Sequence, residues 1–228
     1  MLLHDSLGCI ALWRSFPEML ARACGRAVIA YDRAGFGESV PRDDRLSATF
    51  IRDEAAIMLS LLDALNLEKV VLFGHSVGGG MAVTAAPLLG DRCVAVISES
   101  AQAMVEEQTL SGIRDARDSF NSPQQLNRLM KYHGDKAEWV LRAWVETWLS
   151  PEFTDWNLDA DVRKMECPLL CIHGDKDEFG SLAHPHRIKE QSGGPVSLVV
   201  LESCGHVPHR EQPEKVLAEL VRFLEALP

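Results

Sequence analysis

The sequence predicts an α/β fold: a mostly parallel sheet with helices on both faces and an inserted helical segment. Three observations carry this. Short apolar runs of strand character alternate with longer stretches of helical period. One of those runs passes straight into the glycine-flanked turn Gly74-His75-Ser76-Val77-Gly78, a strand-to-helix junction. The alternation stops between about residues 101 and 162, where helical stretches continue without a convincing strand. The expected division is a core of residues 1–100 and 163–228 with a helical cap at 101–162.

Taken in order, Ala27–Tyr31 is the first strand-like run, and Ile51, Ala55, Met58, Leu59, Leu62 and Leu65 then form one helical stripe able to pack on a sheet. Lys69–Phe73 is the strand that feeds the turn, and Cys93–Ser98 is the next. Four of the five tryptophans, at 139, 144, 148 and 156, fall in the inserted segment, with Trp144 and Trp148 one helical turn apart. Two roles are open to them: gluing small helices onto the core, or lining an apolar substrate pocket. The charged residues at 106, 107, 114, 115, 117 and 118 read as a solvated helix face. Pro168–His173 and Val196–Leu201 are the last two strands, and Val216, Leu217, Leu220, Val221, Leu224 and Leu227 form the stripe of a final helix.

Twenty-three Lys and Arg against 33 Asp and Glu leave a net charge of −10, which argues against nucleic acid or an anionic membrane as the main partner. A small, neutral or weakly charged molecule suits the chain better. The six cysteines, at 9, 24, 93, 167, 171 and 204, form no C-x-x-C pair and have no His-rich companion, so reduced core thiols are expected and no metal is implied. The first residues show neither a basic leader nor an export-length apolar stretch, and no window approaches the roughly 18 apolar residues of a membrane span. A cytoplasmic location is the expectation. The oligomeric state is left open.

The chemistry centres on Ser76. A serine that attacks a carbonyl must stand clear of its backbone, and glycines on both sides let strand and helix approach closely enough to present it. It needs a base, and the base needs an orienting carboxylate. His206, in Ser203-Cys204-Gly205-His206, follows the last strand, and Asp177, in Gly174-Asp175-Lys176-Asp177, follows the strand before it. Both lie beyond strand carboxyl ends, where parallel sheets gather ligand-contacting residues. His4, His133, His173, His184, His186 and His209 are read as surface or core residues, and His75 as packing or hydrogen-bonding within the turn beside the pocket.

With the order Ser76, Asp177, His206 in hand, the chain resembles the α/β-hydrolase superfamily over nearly its whole length. Asp32-Arg33-Ala34-Gly35-Phe36-Gly37-Glu38-Ser39 is similar to the D-R-x-G-x-G-x-S loop of that family, and Gly205-His206 to its histidine loop. The resemblance implies a cofactor-free serine hydrolase with a short helical cap. It makes Asp177, rather than Asp175, the triad acid, with Glu99 in the alternative acid position of some relatives. It also implies an oxyanion hole built from the backbone N–H groups of Val77 and of Ser6 in His4-Asp5-Ser6-Leu7-Gly8. Here Asp5 departs from the usual glycine. Ser6-Leu7-Gly8 with Trp13 resembles the enol-lactone hydrolases. Relatives carry two antiparallel strands and most of a third ahead of this loop, so a chain starting at Met1-Leu2-Leu3 is expected to lack that edge of the sheet, through a shortened chain or a misassigned start.

The activity implied is hydrolysis of a small carboxylic ester, thioester or lactone through an acyl-enzyme on Ser76. Carbon–carbon bond hydrolysis and acyl transfer use the same triad. A non-catalytic ligand-binding protein of the same fold is the rival of a different class, and a glycine-rich phosphate site is disfavoured because Gly78–Gly80 begin a helix without G-K-[ST].

Overall fold

The computed structural model describes residues 1–227. Five parallel strands, β1 (Leu2–Leu3), β2 (Val70–His75), β3 (Cys93–Glu99), β4 (Leu169–Gly174) and β5 (Val196–Leu201), lie side by side in that order. The central strands are apolar until their carboxyl-terminal residues because helices cover both of their faces. Ten helices are described: α1 (Phe16–Cys24), α2 (Phe50–Ala64), α3 (Val77–Leu89), α4 (Glu107–Ser119), α5 (Pro123–His133), α6 (Ala137–Trp148), α7 (Asp159–Lys164), α8 (Ala183–Gln191), α9 (Pro208–Glu211) and α10 (Pro213–Glu225).

The expected strand at Ala27–Tyr31 is not formed. Only a single bridge joins Ala30 to Leu2, on the side of β1 away from β2, with Leu2 N–H donating to Ile29 O at 2.7 Å. Its neighbour β1 is two residues long, so the segment has no ladder to complete. Its position still matters. The chain leaves β1 toward one edge, touches it at Ala30, and returns through α2 to β2 on the other side. The direction of winding therefore reverses at β1, which makes the gap beyond the carboxyl ends of β1 and β2 a topological switch point.

That reversal puts helices on both faces. On one face Ile51, Ala55, Met58 and Leu62 of α2 are buried against α3, where Leu62 faces the core with no exposed surface. Leu59 packs at the margin, and Leu65, read from the stripe as buried, is exposed because α2 ends before it. Truncating a side chain such as Leu62 to alanine costs about 2–5 kcal/mol. On the other face Phe16 and Leu20 of α1 join Val216 and Leu220 of α10 against Phe73, Ile97, Leu170 and Ile172. The helix α3 between β2 and β3 is apolar on every side and buried almost end to end, as a helix with neighbours all round must be.

Residues 101–162 form α4, α5 and α6 with the start of α7 and contain no strand among the described residues. Trp148 stacks edge-on with Phe153 and Trp156, gluing this segment together, while Trp144 contacts Phe179 of the core. Glu106 departs from the solvated face expected of it. Its carboxylate accepts the Ser181 N–H and hydroxyl and faces the buried His184. All six cysteines are unbridged, and the Cys167 and Cys93 sulfurs lie 3.8 Å apart.

Candidate active site

Ser76 sits between β2 and α3 with φ +55° and ψ −124°, a region non-glycine residues avoid. Surrounding packing imposes the strain. A Cβ on Gly74 would overlap the Gly78 carbonyl, and one on Gly78 would overlap the Leu3 carbonyl of β1, so both glycines are needed for strand, turn and helix to meet. The Ser76 N–H donates to Glu99 O at 2.8 Å, fastening the turn to β3. The positive end of the α3 dipole lies at the Ser76 turn.

Asp177 and His206 come together across the ends of β4 and β5. His206 Nδ1 lies 2.8 and 2.9 Å from the two Asp177 oxygens, so it donates there and leaves Nε2 as the free ring nitrogen. The carboxylate is fully buried, also accepts the Phe179 N–H at 2.8 Å, and faces His173 Nε2 at 3.4 Å. Burial alone would raise the Asp177 carboxyl. The hydrogen bond from His206 and the neighbouring imidazoles outweigh it and hold the group below the usual carboxylate range. Asp175 instead accepts the Cys204 N–H, and Glu211 of α9 accepts the Gly205 and Val207 N–H groups, so two further carboxylates shape the loop that carries His206.

Glu99 pairs with His209 of α9 and not with His206. Glu99, His209 and His75 each bring one donor atom within 4.8 Å of the others. Both ring nitrogens of His75 are engaged elsewhere, at Asp5 and at the His206 carbonyl.

Ser76 and His206 line one cavity of about 160 Å³ together with Asp5, Ser6, Leu7, His75, Gln102, Thr109, Ile113, Trp144, Trp148, Phe179 and Val207. Of the sequence-named residues, Ser6, His75, Trp144 and Trp148 thus reach the cavity. Asp177 stands behind His206, and Val77 is buried at the first turn of α3, where helix geometry leaves its N–H without an intrahelical acceptor. In the turn after β1, Asp5 takes up the N–H groups of Leu7 through Oδ1 and of Gly8 through its carbonyl. The Asp32–Ser39 loop is the brace of this turn. Arg33 donates to Asp5 O at 2.7 Å, Asp32 accepts the Ile10 N–H, and His133 of α5 bridges Gly37 N to Leu7 O.

Gln102 was not legible as a site residue. It follows β3 by three positions, is 4% exposed, and its Oε1 accepts from Ser76 Oγ at 3.4 Å. No local pattern marks it, since its role depends on β3 lying beside β2. Phe179 was equally silent: it stacks edge-on with His206 at 4.9 Å and closes the cavity between His206 and Trp144.

The family model described as the alpha/beta hydrolase family matches residues 2–220. The human serine hydrolase BPHL is 30% identical over 173 residues, a match spanning 73% of this chain and 59% of that protein's length. Among solved structures, the enol-lactonase from Burkholderia xenovorans LB400 superposes with a TM-score of 0.72 at 18% identity, covering 98% of this chain and 90% of its own. The meta-cleavage product hydrolase from Pseudomonas fluorescens IP01 superposes with a TM-score of 0.71 at 23% identity, covering 98% and 89%. Those two likenesses are of fold. With a family model matched over almost its entire length, and with Ser76, Asp177 and His206 in the loops after β2, β4 and β5, the chain belongs to the alpha/beta hydrolase family.

Proposed function

We propose that the protein is a cofactor-free serine hydrolase that cleaves a small, uncharged carboxylic ester, thioester or lactone. The observation that carries this is the His206–Asp177 pair, buried and at 2.8 Å, with His206 lining the same cavity as the strained Ser76. In the resting state Ser76 Oγ leans on Gln102. Substrate entry turns it toward His206 Nε2, which takes its proton as Oγ attacks the acyl carbon. The N–H groups of Ser6 and Val77 receive the oxyanion, aided by the α3 dipole. Protonated His206 then returns its proton to the leaving group, and water releases the acyl group by the same steps in reverse.

Substrate size and polarity follow from the walls. A volume of about 160 Å³ is well below the roughly 300–1,000 Å³ of pockets for drug-sized ligands, and Leu7, Ile113, Trp144, Trp148, Phe179 and Val207 give it an apolar lining. A short-chain or single-ring acyl group fits this description. Thr109 and Ile113 of α4 and Trp144 and Trp148 of α6 supply one wall, which supports a cap role for residues 101–162. No helix among the described residues is long and apolar enough to cross a membrane. Cysteines set in apolar segments without a C-x-x-C pair fit a reducing setting such as the cytoplasm.

A fluorophosphonate probe tests the reading. Labelling of the wild type that disappears in Ser76→Ala is the expected result, and a folded wild type that never labels overturns it. A panel of p-nitrophenyl esters, lactones and vinylogous diketones then separates ester hydrolysis from carbon–carbon cleavage.

A further inference from the structure

The residue beside the nucleophile makes contacts that the triad does not require. His75 is 2% exposed. Its Nε2 lies 2.8 Å from the backbone carbonyl of His206, and its Nδ1 lies 3.2 Å from Asp5 Oδ2. A carbonyl oxygen only accepts, so Nε2 carries a proton, and a carboxylate facing Nδ1 at that separation draws a second proton onto the ring. One side chain thus joins three segments: the turn after β1 that holds Ser6, the nucleophile turn after β2, and the histidine loop after β5.

We propose that His75 is a doubly protonated positioning residue of the hydrolytic site, which ties the oxyanion turn to the loop carrying His206 and neutralises Asp5 beside the developing oxyanion. This rests on the serine-hydrolase reading above. It accounts for the departure at Asp5, where a carboxylate stands one residue from an oxyanion donor. Left alone, that charge would oppose the negative charge formed on the substrate. Paired with His75, it becomes a fastening whose other oxygen also accepts the Leu7 N–H at 2.8 Å.

The surroundings favour the cation. Asp5 faces His75 from the β1 turn, with Arg33 donating to the Asp5 carbonyl behind it. Glu99, at the end of β3, lies within 4.8 Å. The ring of His209 from α9 is 5.0 Å away and itself bonded to Glu99, the ring of His206 is 5.1 Å away and bonded to Asp177, and Trp13 closes the remaining side. Burial by itself would lower the His75 pKa, but the Asp5 carboxylate, then Glu99 and the His206 carbonyl, push it up to about 9.

The test combines histidine-labelled ¹⁵N NMR with kinetics on p-nitrophenyl acetate for His75→Asn, Asp5→Asn and the double variant. At pH 8 one buried histidine of the wild type carries protons on both ring nitrogens. Its signal vanishes in His75→Asn and titrates at least one unit lower in Asp5→Asn. In kinetics, His75→Asn strands Asp5 as an unpaired charge and lowers kcat about 100-fold, on the scale of losing an oxyanion donor. Adding Asp5→Asn restores about tenfold of that loss, because independent space-filling roles would instead multiply their losses. A neutral His75 at pH 8, or a double variant no better than His75→Asn alone, overturns the proposal. If His75→Asn does not fold, the titration in Asp5→Asn decides. A wild type that shows the doubly protonated histidine but neither labels nor turns over ester sinks the hydrolase reading and the role proposed here with it, leaving the ion pair as structure alone. A labelled, active enzyme with neutral His75 sinks this inference only.

Discussion

Glu99 is bonded to His209 while Asp177 is bonded to His206, so the carboxylates at the ends of the adjacent strands β3 and β4 serve different histidines. Read by resemblance alone, Asp177 is the favoured acid and Glu99 the alternative. Their partners separate them. Asp177→Asn should lower kcat by about 10³–10⁴-fold, since the amide cannot stabilise the imidazolium. Glu99→Gln should chiefly cost stability, about 1–3 kcal/mol for a disturbed buried hydrogen bond. Ester turnover and urea denaturation on both variants distinguish the roles, and the reverse ranking would reassign the acid.

Ser76 holds backbone strain at the proposed nucleophile. Its positive φ costs a non-glycine residue about 1–3 kcal/mol, and its hydroxyl has only the long contact to Gln102 to offset this. Ser76→Gly should abolish turnover and raise the melting temperature by about 2–4 °C for each kcal/mol recovered in a domain of this size. Calorimetry on the purified variant checks it, and a lowered melting temperature would contradict the strain argument.

The cavity wall at Trp144 should set acyl length. Trp144 lines the cavity from α6 against Phe179, whereas Trp148 is also embedded among Phe153 and Trp156. Trp144→Ala should therefore shift preference toward longer p-nitrophenyl esters with modest loss of stability. Trp148→Ala should destabilise by about 3–5 kcal/mol as a large aromatic leaves the core. Rates across C2 to C12 esters provide the readout, and an unchanged chain-length profile in Trp144→Ala would remove it from the acyl wall.

Stability should carry the signature of the Asp5–His75 pair. A histidine with its folded pKa raised to about 9 from an unfolded value of about 6.5 binds protons more tightly in the native state. Its contribution is complete below about pH 6.5 and is lost as pH rises through about 9, amounting to about 3 kcal/mol. Other groups titrate in the same window, so the difference between the wild type and His75→Asn is the quantity to measure. That difference should shrink between pH 6 and 10, and a constant difference would contradict a charged His75.

Much of the fold was legible because its determinants are local. The runs at 69–73, 93–98, 168–173 and 196–201 became β2 to β5, as length, apolar character and flanking breakers mark a buried parallel strand wherever it lies. The run at Ala27–Tyr31 misled for the same reason. Strand propensity belongs to the segment, but a strand exists only with a partner, and β1 offers two residues. The stripe of α2 was read correctly from Ile51 to Leu62 and overran at Leu65, where the helix had already ended.

By itself, the sequence determined the elbow at Ser76, the chain order of serine, acid and histidine, and the helical character of the inserted segment. Each short motif is set by residues within a few positions of one another, and their order is read directly along the chain. Only the tertiary structure decided which carboxylate meets which histidine, that Gln102 and Phe179 face the cavity, and that Asp5 is answered by His75. Those contacts join residues 26 to more than a hundred positions apart, and what brings them together is the side-by-side packing of strand ends at the point where the sheet reverses its winding.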